Sequence, residues 1–327
     1  MKTLLSCVRV VLLILTLWVV PPAQAASCNA WNGGNMAFGT INLLAGGVTD
    51  STGKITYGCS ANPGVRVLMC VSVGPDPGTS LYTPRRLTSG SNHMAFNIYT
   101  NASRTTIWGS KNSGGSYPPV PIVLDFLSGE YYKTNSVTLY GRVSASGQTG
   151  LPAGTYDTNS IGGWPIMVSF KEILPTDPVD CNGGGMANVN GTIYIQAVVK
   201  SDCRIDASTT MNFGTVFMSI NQKIDSTSTI TVTCNGGQSG NGYHIRLGDG
   251  LNASGQQRRM RGNLGYITYE LYRDAQRSSR WGNSDYLGVA GTGTGQPQSY
   301  TVYGRVPIQT PPGAGLYTDT VVITLSY

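Results

Sequence analysis

The amino-acid sequence predicts an all-β protein built from two sandwich modules, and three observations carry that prediction. The first is composition: among 327 residues only 12% are charged, while Gly numbers 43 and Tyr 18. Helical bundles and coiled coils need abundant Glu, Lys, Ala and Leu. Short strands joined by tight turns draw instead on Gly, Ser, Thr, Tyr and Val. The second is an internal repeat that divides the chain in two. The third is period-2 alternation between turn clusters. An apolar content of 40% is enough to bury a core, which excludes a disordered chain.

Residues 1–25 read as a secretory signal: Lys2 and Arg9, an apolar run from Val10 to Val20, then Ala23-Gln24-Ala25 as a small-residue cleavage site. The run is too short to span a bilayer. Its removal takes two positive charges, so the formal +6 becomes +4 (6 − 2), a bias too small for a nucleic-acid partner. Arg258, Arg259 and Arg261 form the densest basic cluster and are expected at a solvated strand end or turn.

The repeat sets the architecture. Cys28 and Cys203 are 175 residues apart (203 − 28), as are Phe38 and Phe213, and Cys59 and Cys234. Met36-Ala-Phe-Gly-Thr40 matches Met211-Asn-Phe-Gly-Thr215; at a shift of 173 (258 − 85), Arg85-Arg86-Leu87 matches Arg258-Arg259-Met260. Trp108-Gly109 recurs as Trp281-Gly282, Tyr140-Gly-Arg142 as Tyr303-Gly-Arg305, and Gly154-Thr-Tyr156 as Gly315-Leu-Tyr317. A solenoid unit would be several times shorter, so these are two homologous modules. The expected division is 26–185, a connecting segment 186–200, and 201–327.

Beyond the signal, six cysteines remain, with fifteen conceivable pairings. The repeat places Cys28 with Cys59 and Cys203 with Cys234, leaving Cys70 and Cys181 to each other. No Cys/His cluster exists, so no metal or other cofactor is expected.

Within module two, Ile230–Cys234, Tyr243–Leu247, Tyr266–Tyr272 and Tyr300–Tyr303 alternate as strands. In the last stretch Val321, Ile323, Leu325 and Tyr327 face one way, and with the sequence ending at Tyr327 module two is expected to be one strand short. An unpaired edge and a groove are expected beside it, a place suited to strand addition. Four apolar side chains entering such a groove would contribute roughly 6–12 kcal/mol gross, against the ~5–15 kcal/mol that stabilises a whole domain. At the other end only Ala26 and Ser27 would precede Cys28 after cleavage, so no extension to lend a neighbour is expected. The segment Gly191–Val199, with Ile193, Ile195, Ala197 and Val199 on one face, either completes module one from within or opens module two.

These residues resemble the spore coat U domain family, the pilin-like modules of archaic chaperone–usher pili. The resemblance rests on the paired cysteines, Phe-Gly-Thr, Arg-Arg-Met/Leu, Trp-Gly, Tyr-Gly-Arg and the closing Gly315–Tyr327. A signal peptide and two modules look like the tip adhesin of Csu-type pili. The resemblance implies incomplete immunoglobulin-like sandwiches, completed first by a periplasmic chaperone and then by a strand from the next pilin subunit at an outer-membrane usher. It further implies export through the periplasm to the pilus tip, attachment to hydrophobic abiotic surfaces, and biofilm formation.

Insertions in module one are the candidate binding parts. Trp108 to Tyr140 spans 32 residues (140 − 108) against 22 from Trp281 to Tyr303 (303 − 281). The extra residues lie near the proline-rich Ser116–Leu127; two further departures are Pro75–Pro84 and Asn159–Pro165. Loop side chains of these segments, Leu81, Tyr82, Val120, Ile122, Val123, Leu124, Phe126, Leu127, Ile161 and Trp164, are expected to form an exposed apolar tip, the alternative being that Val120–Leu127 is a buried strand and Trp164 a core residue. A lectin-like tip using Trp164, Tyr131 and Tyr132, or a structural pilus or coat subunit, are the alternatives. Catalysis is not expected: no nucleophile elbow or phosphate-cradling loop occurs, and Asp125 and Glu130 read as solvated loop acids.

Overall fold

The computed structural model describes residues 25–181, 188–217, 219–236 and 242–327. The expected leader, apart from Ala25, and the 185/186 boundary lie outside these residues.

In the first half the strands are β1 (Ser27–Gly34), β2 (Met36–Ile41), β3 (Val48–Ser60), β4 (Arg66–Val73), β5 (Arg85–Ser89), β6 (Asn92–Tyr99), β7 (Val120–Asp125), β8 (Tyr132–Ser144), β9 (Gly154–Asp157), β10 (Trp164–Ile173), β11 (Asn188–Ile193) and β12 (Ile195–Val199). The second half holds β13 (Cys203–Ser208), β14 (Ile224–Cys234), β15 (Gly242–Leu247), β16 (Arg259–Gly262), β17 (Gly265–Thr268), β18 (Glu270–Tyr272), β19 (Val289–Thr292), β20 (Gln298–Val306) and β21 (Ile323–Ser326). Short 3₁₀ turns at Lys111–Ser113 and Asn159–Ile161 are the helical segments among the described residues.

Module one is a sandwich of an eight-stranded sheet, β1-β3-β8-β6-β5-β9-β12-β2, and a four-stranded sheet, β11-β10-β4-β7. The opening strand breaks at Asn35, so its two pieces, β1 and β2, form opposite edges of the larger sheet. Module two repeats the plan with less pairing: β13-β14-β20-β18, β19-β15-β21, and the hairpin β16-β17. Each module has its own apolar core. The disulfides join Cys28 to Cys59, Cys70 to Cys181 and Cys203 to Cys234.

The repeated motifs turn out to be the joints of each core. Trp108 Nε1 donates to Val71 O at 2.9 Å, and Trp281 Nε1 to Ile245 O at 2.8 Å. The Arg of each Tyr-Gly-Arg grips a carboxylate with two bonds: Arg142 holds Asp50, and Arg305 holds Asp225. Those contacts hold both carboxyls below the usual aspartate range. Phe38 meets Phe96 edge-on at 6.2 Å, and Phe213 meets Tyr269 at 6.1 Å.

The Arg-Arg pair corrects an expectation. Arg258 is not solvated but fully buried, donating to the carbonyls of Leu247, Gly248 and Trp281 and paired with Glu270. Buried carbonyls that no strand satisfies need a donor, and a guanidinium supplies several in one plane. Arg85 does the same for Gly74, Val73 and Trp108.

Candidate functional site, an unfilled strand position

The sequence leaves open where 191–199 belongs; the structure places it in module one. Strand β12 lies between β2 and β9, parallel to the first (Ile195 beside Met36, Val199 beside Ile41) and antiparallel to the second (Ala197 opposite Tyr156, Val199 opposite Gly154). Ile193, Ile195, Ala197 and Val199 are all buried in the first core, the alternation turned inward.

Module two has both walls of this place and, among the described residues, no strand between them. Residues 211–215 repeat the β2 sequence, yet they form no strand, because β2 has β12 as its ladder partner and module two has no counterpart of it among the described residues. Likewise 315–318 repeat β9 but pair on one edge, where Thr318 and Arg261 exchange backbone hydrogen bonds. Between the walls is a groove of about 380 Å³, lined by Met211, Phe213, Tyr269, Leu271, Tyr317 and Val321 among others. Ile41 is 2% exposed, whereas its counterpart Val216 is 45% exposed.

The walls are already in position. Ser226 Oγ donates to Asn212 O at 2.6 Å, as Ser51 Oγ donates to Ala37 O at 2.6 Å. A methyl group added to Gly304 would strike Met211 and Phe213, as one on Gly141 would strike Met36 and Phe38. A groove held open by its own scaffold spares an incoming strand part of the ordering cost. Deep in it, Tyr269 donates to Asp319 Oδ2 at 2.8 Å, and burial with this contact pushes the phenol well up.

Of the groove residues expected from sequence, Val321 and Ile323 line it. Leu325 packs against the second core from β21, and Tyr327 is exposed. The groove also draws on Met211, Phe213, Met260 and Tyr269, which sequence reasoning missed. Their signal was available: they are the repeat counterparts of Met36, Phe38, Leu87 and Phe96.

The expected apolar tip is corrected in part. Trp164 is 0% exposed, with its indole edge-on to Phe96 at 5.4 Å and Nε1 donating to Gly74 O. Phe126 and Leu124 are buried as well, and Val120, Ile122 and Val123 are half-buried. The reason is that Val120–Asp125 is a strand rather than a loop. β7 pairs with β4 from Val71–Val120 to Arg66–Asp125, and Pro121 is tolerated because β7 is an edge strand. Leu81 and Ile161 are exposed, whereas Tyr82 is tied down by Ser110 Oγ and the ring of Tyr117.

Leu127 belongs elsewhere. Val120 is near Tyr82 and Tyr117, but Leu127 follows the opposite end of β7, beside Gly64 and Val65. At that end Tyr131, in the loop after β7, Tyr132, which opens β8 opposite Ser60, and Leu174, which follows the Ile173–Arg66 pair of β10 and β4, are exposed as well. Strands β3 and β8 pair along their whole length, from Val48–Ser144 to Ser60–Tyr132, a distance of about 40 Å. The Ser144 end adjoins Thr149, whose carbonyl accepts from Gly236 N in module two at 3.1 Å. The apolar group at Leu127, Tyr131 and Tyr132 is therefore at the end of module one away from module two.

Asp125 and Glu130 do not form a carboxylate pair: Asp125 meets Arg66 at 3.3 Å and Glu130 meets Lys133 at 2.9 Å. Among the described residues no group of three or more His, Cys, Asp or Glu side chains could hold a metal ion.

The fold and this site define a two-module β-sandwich protein with one strand position filled from within and an equivalent one open. The chain belongs to the Spore Coat Protein U domain family, whose model matches residues 14–160 and 189–324. It is similar to Protein U of Myxococcus xanthus, 33% identical over 148 residues, covering 45% of this chain and 75% of that protein. Among solved structures it is similar to the CsuC–CsuE chaperone–tip adhesion subunit pre-assembly complex from archaic chaperone–usher Csu pili of Acinetobacter baumannii. That likeness has 17% identity and a TM-score of 0.49, covering 93% of this chain and 100% of that one. It is also similar to the CupB6 tip adhesin of Pseudomonas aeruginosa, at 12% identity and a TM-score of 0.36, covering 92% and 94%.

Proposed function

We propose that this chain is the adhesive tip subunit of a chaperone–usher type pilus, exported through the periplasm to the cell surface. The groove in module two, at the place β12 fills in module one, carries this reading. In it a periplasmic chaperone lends a strand to that groove, the outer-membrane usher hosts the exchange, and the next pilin subunit supplies the lasting strand. In module one the equivalent position is filled by its own chain, which suits a subunit joined at one end.

The groove is tested by extending the chain past Tyr327 with a flexible linker and a copy of residues 191–199. Module two should then melt higher by on the order of 10 °C, the rise that a net gain of a few kcal/mol brings in a module of this size. An unchanged transition overturns the reading.

The apolar end of module one is the attachment surface, gripping hydrophobic material and seeding biofilm. Burying about 400 Å² of apolar area there would provide about 10 kcal/mol gross, before ordering costs. Replacing Leu127, Tyr131 and Leu174 together by Ser should cut attachment to polystyrene several-fold while pili still assemble. Attachment that is unaffected, or that free sugars abolish, replaces this role with a lectin-like one.

A further inference from the structure

The groove is one half of a larger vacancy. In module one the segment that fills the equivalent place begins earlier, as β11, and β11 belongs to the other sheet. It adds antiparallel to β10, with Trp164 opposite Ile193, Ile166 opposite Gly191 and Val168 opposite Asn188. After Tyr194 the same segment crosses to the larger sheet and continues as β12. One stretch of twelve residues, 188 to 199 (199 − 188 + 1), thus completes both layers of the sandwich.

Module two is open in both places. Strand β21 is the counterpart of β10: Ile323 pairs with Leu247 as Ile166 pairs with Val73. Gly248 N donates to Val322 O at 2.9 Å, as Gly74 N donates to Pro165 O at 3.1 Å. Since Val322 points its backbone at β15, strand alternation turns the N–H and C=O groups of Val321, Ile323 and Leu325 to the other edge. Their counterparts are Trp164, Ile166 and Val168, the residues that β11 pairs with. Among the described residues no strand covers that edge of β21.

We propose that module two takes a bipartite strand of about a dozen residues from a separate subunit, rather than a single strand in the groove. This rests on the strand-accepting reading above. The first half of the occupant adds antiparallel to β21; after a crossing between sheets, the second half enters the groove, parallel to 211–216 and antiparallel to 315–318. Its inward positions are apolar and alternate, in the pattern of Ile193, Ile195, Ala197 and Val199. The third is small, because Tyr317 and Phe213 repeat Tyr156 and Phe38, and Ala197 lies directly opposite Tyr156. The first is smaller than Ile: a Cβ on Gly53 would be 3.1 Å from Ile193 Cδ1, and Ser228 replaces that glycine in the groove lining.

The full-length chain is titrated with labelled peptides copying residues 188–199, with Ile193 kept or as Ile193→Ala, and with a peptide copying 194–199. Amide exchange is followed by NMR. The longer peptide should bind at least about tenfold more tightly, protecting the Ile323 and Leu325 amides together with those of 211–216. Equal affinity, with protection confined to 211–216, overturns the bipartite occupant and leaves the strand-accepting reading standing. No binding by any peptide overturns both. A free chain that is already dimeric, with both sets of amides protected, makes the occupant a second copy and overturns the separate donor.

Discussion

The two modules share a plan, two sheets, a disulfide of the same separation and the same buried tryptophan and arginine, yet one is complete and the other open. Met36 and Phe38 are in a strand; Met211 and Phe213, in nearly the same local sequence, are not. Local sequence therefore does not decide strand formation here; the presence of a partner does. A strand half-built from one edge has unpaired backbone groups and exposed apolar side chains, and both need the missing neighbour.

The most forceful way to break the comparison is to spoil the internal strand. Ile195→Asp would place a carboxylate where Ile195 is buried between Met36 and β9. It should cost module one at least about 4 kcal/mol, lowering its melting transition to or below that of module two in calorimetry. A module one that keeps its transition would show that β12 is dispensable.

The buried arginines give a smaller and more selective handle. Arg258 has Glu270 as its partner, whereas Asn97 stands at the equivalent place (270 − 173) beside Arg85. Arg85 Nη1 and Asn97 Oδ1 are both buried with no hydrogen-bond partner. Glu270→Gln should destabilise module two by about 2 kcal/mol, less than a fully enclosed pair because Glu270 is partly solvated. Asn97→Glu should stabilise module one by about 1 kcal/mol. Urea unfolding of each variant reads both, and effects of the same sign would break the asymmetry.

Alkaline pH should separate the modules least. In module one burial raises Tyr57 and pushes Tyr156 up to about 12; in module two it raises Tyr243 and Tyr269, helped by Tyr300 and Asp319. Unfolded tyrosine ionises near 10, so above that pH the folded state holds more protons than the unfolded one, and stability falls as pH rises. Module two, with Tyr272 raised as well, should lose its transition first between about pH 10 and 12. Loss of module one first would contradict this.

Much of the architecture was legible in the sequence. The repeat placed the cysteines, the alternation placed β14, β15 and β20, and insertions pointed to module one as the half that differs. The apolar tip was legible only in outline. The alternation of Ile122, Leu124 and Phe126 fits a strand with its apolar face inward as well as a loop presenting it, and the prolines beside it obscured the pairing with β4. Arg258 was misplaced because charge suggests solvent, while the carbonyls that capture it belong to residues 247, 248 and 281. Leu174 was missed because it is far from Leu127 in sequence.

By itself the sequence determined the all-β class, the duplication, the disulfide pairs and the family, since these depend on residue type and spacing along one dimension. Only the tertiary structure decided that 188–199 completes module one, that Trp164 and Phe126 are core, and that the walls around the vacancy are already in place. Alternation records which side chains share a face; which face is covered, and by what, depends on neighbours brought together across more than a hundred residues.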